Sequence, residues 1–201
     1  MAEEPIIDVR EIPKLQRHPL IIAAFDELEV GTGLILISDH EPKHLRTEME
    51  NEFAEAMEWE SLDSDGEEFR VRISRCAGTA VPRIVLDVDD LAPTTDDQGA
   101  EISGSVWQLS PQRRDLDANV ISLAPGGEIR EHTGPDLDVL IHVLDGGGVL
   151  ETELSSIQLR PGQIVWLPRR SRRRFSADRT TGLRYFSVHQ RKQGLSISSR
   201  P

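Results

Sequence analysis

The 201-residue chain has one cysteine, few aromatic residues and no long apolar run. A single thiol, Cys76, excludes an internal disulfide framework and a cysteine-rich zinc or iron–sulfur site. The longest apolar segments, such as residues 20–25, are far too short to span a bilayer. The first residues are acidic and lack a basic region followed by an apolar run, so no secretory signal is expected. These features predict a cytoplasmic protein.

The net charge of −12 is unevenly distributed along the chain. Residues 1–75 hold 19 acidic and 8 basic residues, whereas residues 119–201 hold 8 acidic and 12 basic residues. The overall sign disfavours a protein that binds nucleic acid or anionic membranes. The basic back half leaves room for a local site that binds a small anion.

The front of the chain, residues 1–75, has the patterns of a small α/β domain. Apolar residues at helical spacing predict a helix over 18–28 and a second helix from Pro42 to about Met57. Short apolar or alternating runs predict strands at 6–9, 34–37, 57–60 and 69–74, the last two joined by a turn at 63–66. The predicted order is β-α-β-α-β-β.

The remainder of the chain changes character twice. Residues 76–104 are acidic and contain prolines, which is typical of a linker. Residues 105–190 contain short apolar runs separated by glycines, and residues 191–201 form a polar tail. The runs predict strands at 120–123, 139–144, 149–152, 157–159, 164–167 and 183–188. Even spacing without a helical period indicates an all-β barrel or double-sheet jelly roll, and an α+β fold class for the whole chain.

Glycine and proline positions in the back half have a recognisable spacing. Gly126 is followed by five residues and then His132, fifteen residues separate Gly146 from Gly162, and Gly162 is followed by five residues and then Pro168. This spacing resembles the two motifs of the cupin family over about residues 105–190. The resemblance implies a jelly-roll barrel, in which metal-binding members hold a divalent ion with two histidines, a glutamate and a third histidine.

The ligand positions of that family are changed in this sequence. They correspond here to His132, Gly134, Val139 and Arg173. Glycine and valine have no ligating side chain, and an arginine stays charged and repels a cation. The usual metal site is therefore absent, and no cofactor is expected. An alternative divalent-metal site would use His132, His142 and His189, with Asp138 nearby, if a strand bulge reversed the predicted facing of Asp138 and His142.

The strongest charge feature is the run Arg169-Arg-Ser-Arg-Arg-Arg174. If this run enters a strand, alternate side chains point to opposite faces, and Arg173 points into the barrel. A guanidinium there could hold a carboxylate or phosphate through two hydrogen bonds. The alternative is a solvated surface run, or pairing with Glu131, Asp136 or Asp138. The predicted ligand site in the barrel consists of His132, Asp138, Arg170 and Arg173.

Residues 6–75 have a second resemblance. Asp8-Val-Arg-Glu-Ile-Pro13, Arg17-His-Pro-Leu20 and Ser38-Asp-His-Glu-Pro-Lys43 resemble an uncharacterised domain family related to the TusA/SirA sulfur carriers. In those carriers, a cysteine that opens the first helix carries a persulfide. Gln16 stands at that position here, and Cys76 lies outside the domain, so a carrier role is not expected.

Basic and imidazole side chains gather where the two front helices are predicted to start. They predict an anion pocket at the exposed N–H groups there. Alternatives are a metal site of His18, His40 and His44, or only capping by Asp39 and hydrogen bonding by the histidines. The predicted anion-binding residues are Arg10, Arg17, His18, His40 and Lys43.

Both halves resemble functional families and lack the residues that perform their chemistry. The favoured hypothesis is a non-enzymatic binding or accessory protein that takes a small organic acid, another anion or a protein partner. One alternative is a metal-dependent cupin enzyme, a dioxygenase or isomerase, with non-standard ligands. Another is an accessory role in sulfur or redox metabolism. A homodimer through the back half is expected from the cupin resemblance and from Leu140, His142 and Leu144, which share one strand face.

Overall fold

The computed structural model describes residues 4–62 and 68–191. The chain divides into two compact units, Met1–Ile84 with Ser110–Arg113, and Val85–Leu109 with Arg114–Pro201. The predicted linker, 76–104, therefore falls partly in each unit. The predicted turn at 63–66 and most of the predicted tail lie outside the described residues. No helix in the described part of the chain has the length and apolar character needed to cross a membrane.

The first unit has a four-stranded sheet and two helices in the predicted order. Its elements are β1 (Ile6–Asp8), α1 (Lys14–Asp26), β2 (Gly33–Ser38), α2 (Lys43–Phe53), β3 (Met57–Ser61) and β4 (Phe69–Arg75). The strand order across the sheet is β1-β2-β4-β3. The β1–β2 pair is parallel, as two strands joined by a helix require, and the other pairs are antiparallel.

The core of this unit lies between one sheet face and the apolar stripes of the helices. Ile21 and Phe25 of α1 and Leu45 and Met49 of α2 are four residues apart in each helix, and all are buried. The two helices also meet through the rings of Phe25 and Phe53, whose centroids are 4.6 Å apart. The helical spacing in the sequence therefore identified the packing faces correctly.

The helix ends differ from the prediction. Helix α1 begins at Lys14 rather than at residue 18, since the backbone N–H of Gln16 already bonds the carbonyl of Pro13. Helix α2 ends at Phe53 rather than Met57, because Ala54 has a φ of 41° and breaks the helical path. One 3₁₀ turn follows, and Met57 then starts β3.

The second unit has nine strands in two sheets over the residues that the structure describes. They are β5 (Gly104–Gln108), β6 (Leu116–Leu123), β7 (Glu128–Thr133), β8 (Val139–Gly146), β9 (Gly148–Thr152), β10 (Ser156–Leu159), β11 (Ile164–Leu167), β12 (Arg172–Ala177) and β13 (Leu183–Gln190). The sheets have the orders β10-β9-β12-β7 and β11-β8-β13-β6-β5. Successive strands repeatedly change sheet, which is the connectivity of a double-sheet jelly roll.

The inward faces of the two sheets form one apolar core. On β8, Val139, Ile141 and Val143 are buried, whereas Leu140 between them is 46% exposed. Leu150 of β9 and Phe175 of β12 belong to the same core cluster from the other sheet. This is the facing that the motif spacing of the cupin resemblance predicted for the strand.

Strands β5 and β7 were not predicted, and β12 was considered only as a strand that the arginine run could enter. Strands β7 and β12 pair with each other, and their outward positions are charged rather than merely polar. Arg172 pairs with Glu131 and Arg174 with Glu128 across the two strands. Opposite charges facing each other stabilise a strand pair, but a search for apolar alternation does not detect them.

Candidate functional site

The arginine run belongs to the β11–β12 loop and to β12, and most of its members already have acidic partners. Arg169 pairs with Asp138, Arg170 with Asp136, Arg172 with Glu131, and Arg174 with both Glu128 and Glu151. These side chains are exposed, so each pair contributes little to stability. The charge of the run is therefore largely matched on the surface, with one exception.

The exception is Arg173. Its side chain points inward with Phe175 and Ala177 of the same strand, and the residue is 6% exposed. Within residues 4–62 and 68–191, no carboxylate pairs with it, and its buried Nη1 atom has no hydrogen-bond partner. A buried polar atom normally finds a partner, and a buried cation needs one more than any other group. Neither of the acids expected as its partner, Asp138 and Glu131, reaches it.

Gly134 makes room for this guanidinium. A Cβ atom built on Gly134 would lie 2.3 Å from Nη2 and 2.6 Å from Cζ of Arg173. Any other residue at position 134 would therefore displace the arginine side chain. The absence of a side chain at Gly134 therefore allows Arg173 to occupy its buried position.

Burial controls the ionisation of the groups around Arg173. Loss of solvent lowers the pKa of the Arg173 guanidinium from its usual value, although an arginine remains charged at neutral pH. Burial also raises the pKa of the Tyr185 phenol to about 12, and the charge of Arg173 opposes that rise. The ring of Tyr185 stacks on Phe175, with centroids 5.5 Å apart. The interior thus holds a cation beside neutral, mainly apolar side chains.

Arg173 lines a pocket of about 490 Å³, a size suited to a small organic ligand. Leu150 and Leu167 of the buried core also line this pocket. Its wall continues outward to Leu154 and Trp166, which are 96% and 61% exposed. We call it the Arg173 pocket.

The other predicted residues of the barrel site lie in different surroundings. His132 is the cross-strand neighbour of Arg173, with its Nδ1 2.9 Å from the Arg130 carbonyl, but it does not line the Arg173 pocket. Asp138 is exposed and accepts a hydrogen bond from the backbone N–H of Arg169. Arg170 lines the pocket but donates to Asp136 at 2.8 Å.

The metal ligands of the cupin motif do not fit a divalent ion here. Of the four positions, His132 supplies one imidazole, Gly134 and Val139 supply none, and Arg173 brings a positive charge. The histidines of the alternative site are separated, because His142 lies on the outer face of β8 and pairs with Ile164 and Phe186. Among the residues described, no three His, Cys, Asp or Glu side chains lie close enough to hold a metal ion.

At the predicted anion site of the first unit, Arg17 already has internal partners. It is 7% exposed and donates to the carbonyls of Ile12 and Arg10 and to both carboxylate oxygens of Asp39. The Arg17 guanidinium, followed by His40, holds the pKa of Asp39 well below its usual range. The expectation that Asp39 caps α2 was wrong, because its carboxylate is bound to Arg17 and the cap position is Pro42.

The remaining predicted residues of that site are only partly brought together. Arg17, His18 and His40 line a pocket of about 210 Å³, together with His44. His18 contacts Glu48 at 2.6 Å, and His40 contacts Asp39 at 2.6 Å. Arg10 and Lys43 do not line this pocket, because Arg10 pairs with Asp8 and Glu68, and Lys43 with Glu41.

Two features of these sites were missed in the sequence. Trp166 follows an ordinary strand pattern and Leu154 lies in the turn between β9 and β10, and only their neighbours in space identify them as pocket residues. Arg75, at the end of β4, donates to the carbonyls of Asp26 and Leu28 and thereby satisfies the C-terminal end of α1. No local motif signals either arrangement.

Comparison of the chain with solved structures finds neighbours that include cupin proteins. A cupin-2 domain protein from Shewanella frigidimarina is 15% identical, with a TM-score of 0.40 over 53% of this chain and 95% of that one. The polyketide cyclase RemF from Streptomyces resistomycificus is 14% identical, with a TM-score of 0.44 over 60% and 90%. A Bacillus halodurans protein is 16% identical, with a TM-score of 0.37, and the match covers 40% of this chain but only 65% of that protein.

Comparison by sequence gives a result for the front of the chain. A search of curated proteins found no match. Residues 6–75 match the family described as an uncharacterized conserved protein (DUF2249). The match covers the residues for which the sequence predicted a separate α/β domain.

Proposed function

We propose that the C-terminal unit binds a small organic acid, and that the guanidinium of Arg173 holds its carboxylate. The single observation behind this proposal is a buried arginine, lining a pocket, that has no acidic partner among the described residues. A carboxylate at this place would accept two parallel N–H bonds and neutralise the buried charge. The protein then acts as a binding or accessory protein rather than as a metal enzyme.

The proposal is tested by titrating carboxylates and phosphate into the full-length chain and its Arg173→Met variant. We expect at least one small carboxylate to bind the wild-type protein and raise its melting temperature. The variant should stay folded and lose this effect, because a thioether side chain cannot pair with an anion. Absence of binding by every carboxylate tested, or equal binding by both proteins, would contradict the proposal.

The substitution Gly134→Ala tests the same site from the other side. Its new methyl group would occupy the place of the guanidinium, so Arg173 must move. The clash involves the far end of a flexible side chain, and we therefore expect the fold to persist while carboxylate affinity falls about tenfold or more. Calorimetric titration measures this loss. The control is Gly104→Ala, which places a methyl group in open space and should leave the affinity unchanged. Gly99→Ala is unsuitable as a control, because Gly99 has a positive φ that alanine rarely adopts.

The alternative hypothesis, a metal-dependent enzyme with unusual ligands, makes a different prediction about the metal content of the purified protein. We expect the purified protein to lack stoichiometric transition metal, because the four motif positions provide only one imidazole. Elemental analysis of protein prepared without chelators measures this directly. About one iron, manganese, nickel or zinc ion per chain, lost on His132→Ala, would support the enzyme hypothesis instead.

The relation of the first unit to the TusA/SirA carriers is also part of the proposal. It is supported by the β-α-β-α-β-β order and the quoted motif residues. Gln16 lies exposed in the first turns of α1, where the carriers have their cysteine, and Cys76 follows β4. We therefore infer a domain without persulfide transfer, and an accessory role in sulfur metabolism is the less supported alternative.

The expected homodimer stays a prediction. Leu140, His142 and Leu144 lie on the outer face of β8, as the alternation indicated. Trp166 is the cross-strand neighbour of Leu140, and it extends this outer apolar surface. A partner that covers this surface would shield it from water.

A further inference from the structure

The Arg173 pocket has an unusual arrangement of polarity, with its cation inside and apolar side chains at its rim. Arg173 is 6% exposed, whereas Leu154, Trp166 and Ile157 are 96%, 61% and 39% exposed. Leu154 lies in the β9–β10 turn, Ile157 on β10 and Trp166 on β11. Strands β10 and β11 are end strands of the two sheets, so the rim lies where neither sheet continues. The way to the guanidinium is thus lined by exposed apolar side chains as well as by the ion-paired arginines of the run.

From this arrangement we propose that the ligand is a monocarboxylic acid with an apolar chain or ring. The inference rests on the proposed function and specifies its ligand class. The carboxylate pairs with Arg173, and the hydrocarbon part covers Leu154, Ile157 and Trp166. Binding then removes exposed apolar surface from water on both molecules, which adds affinity to the charge interaction.

The charges around the pocket favour one carboxylate over two. Arg169, Arg170 and Arg172 also line the pocket, but each is paired with an acid of the protein. Glu153, an exposed residue of the lining, has no ion pair among the described residues. A second carboxylate on the ligand would meet matched arginines and an unmatched glutamate, so it would be repelled rather than bound.

A homologous series of ligands tests this inference. Acetate, butanoate, hexanoate, adipate and hexanamide are titrated into the full-length chain by calorimetry at constant pH and ionic strength. From acetate to hexanoate we expect the affinity to rise about three- to fourfold for each methylene group. Adipate, which carries a second carboxylate, should bind more weakly than hexanoate. Hexanamide, which lacks the charge, should show no binding over the same range.

Two variants connect the chain-length effect to the rim. Leu154→Ser removes a side chain that is almost fully exposed, so we expect the fold to be unaffected and the gain per methylene to shrink. Ile164→Ser is the matched control, because Ile164 is 71% exposed in the same unit and does not line the pocket. It should leave all affinities unchanged.

The outcomes separate the ligand class from the proposed function. Equal affinities for acetate and hexanoate, both lost in Arg173→Met, would overturn the inference and leave acid binding standing. Hexanamide binding as tightly as hexanoate, or adipate binding more tightly, would also overturn it. Binding of none of these acids to the wild-type protein would contradict both.

Discussion

Replacing Arg173 by methionine is expected to raise the free energy of unfolding of the ligand-free C-terminal unit by about 1–3 kcal/mol. A buried cation without a partner has lost its hydration and gained no ion pair. Methionine is flexible and apolar, and it can fill the space between Gly134 and the core. Urea unfolding, followed by the fluorescence of Trp107 and Trp166 in a Trp59→Phe chain, measures the change in this unit.

The matched control for this prediction is Arg172→Met. Arg172 is the preceding residue of β12, but its side chain is exposed and paired with Glu131. Surface pairs of this kind contribute less than about 1 kcal/mol, so the control should change stability little. A loss of stability in Arg173→Met larger than in the control would show that the arginine supports the fold, and it would remove the reason to expect a ligand.

The barrel could be predicted from sequence wherever a strand buries apolar residues. In residues 139–144, buried positions alternate with exposed or half-buried ones, and the predicted strand and its facing were both correct. Apolar alternation did not identify β7 and β12. Glutamates and arginines on their outer faces stabilise each other, and this pairing can be recognised only once the two strands are placed side by side. Apolar periodicity predicts strands that bury apolar side chains. It does not predict strands that are stabilised by charge pairs on their outer faces.

The site shows a similar division. The inward direction of Arg173 followed from motif spacing and strand alternation, both of which are local. The partners of Arg172 and Arg174 on β7 depend on the register between β7 and β12, which shifts between Arg173 and Phe175. Residue patterns along the chain do not reveal such a bulge, and the structure pairs Glu131 with Arg172 rather than with Arg173. Asp138 lies just before β8, and it pairs with Arg169 of the β11–β12 loop.

In the first unit, Arg17 was expected to face a ligand because it stands at the start of a helix. The structure turns its side chain into the protein, where it joins the β1–α1 loop to Asp39 in the β2–α2 loop. Replacing Arg17 by methionine should therefore lower the free energy of unfolding of this unit by about 2–4 kcal/mol. The loss arises because the carbonyls of Ile12 and Arg10 would lose their donor.

Urea unfolding followed by Trp59 fluorescence, in a chain with Trp107→Phe and Trp166→Phe, measures this loss. Arg46→Met is the matched control, since Arg46 makes only an exposed pair with Glu50 on α2. Its effect should stay below about 1 kcal/mol. Equal effects of the two substitutions would mean that Arg17 is no more than a surface charge and remains available to an anion.

The pH dependence of the same variant shows whether the Arg17–Asp39 pair contributes. Because Arg17 lowers the pKa of Asp39 in the folded state, the contribution of this carboxylate is complete above its usual pKa of 3.8. It is lost as the pH falls below that value toward the lower pKa of the folded state. Arg17→Met lacks the part of this contribution that comes from Arg17 at every pH, whereas His40 still contacts Asp39. The stability difference between wild type and variant should therefore be constant near neutral pH and narrow as the pH falls below 3.8. A difference that stays constant into acid would show that the backbone carbonyls, rather than Asp39, account for the role of Arg17.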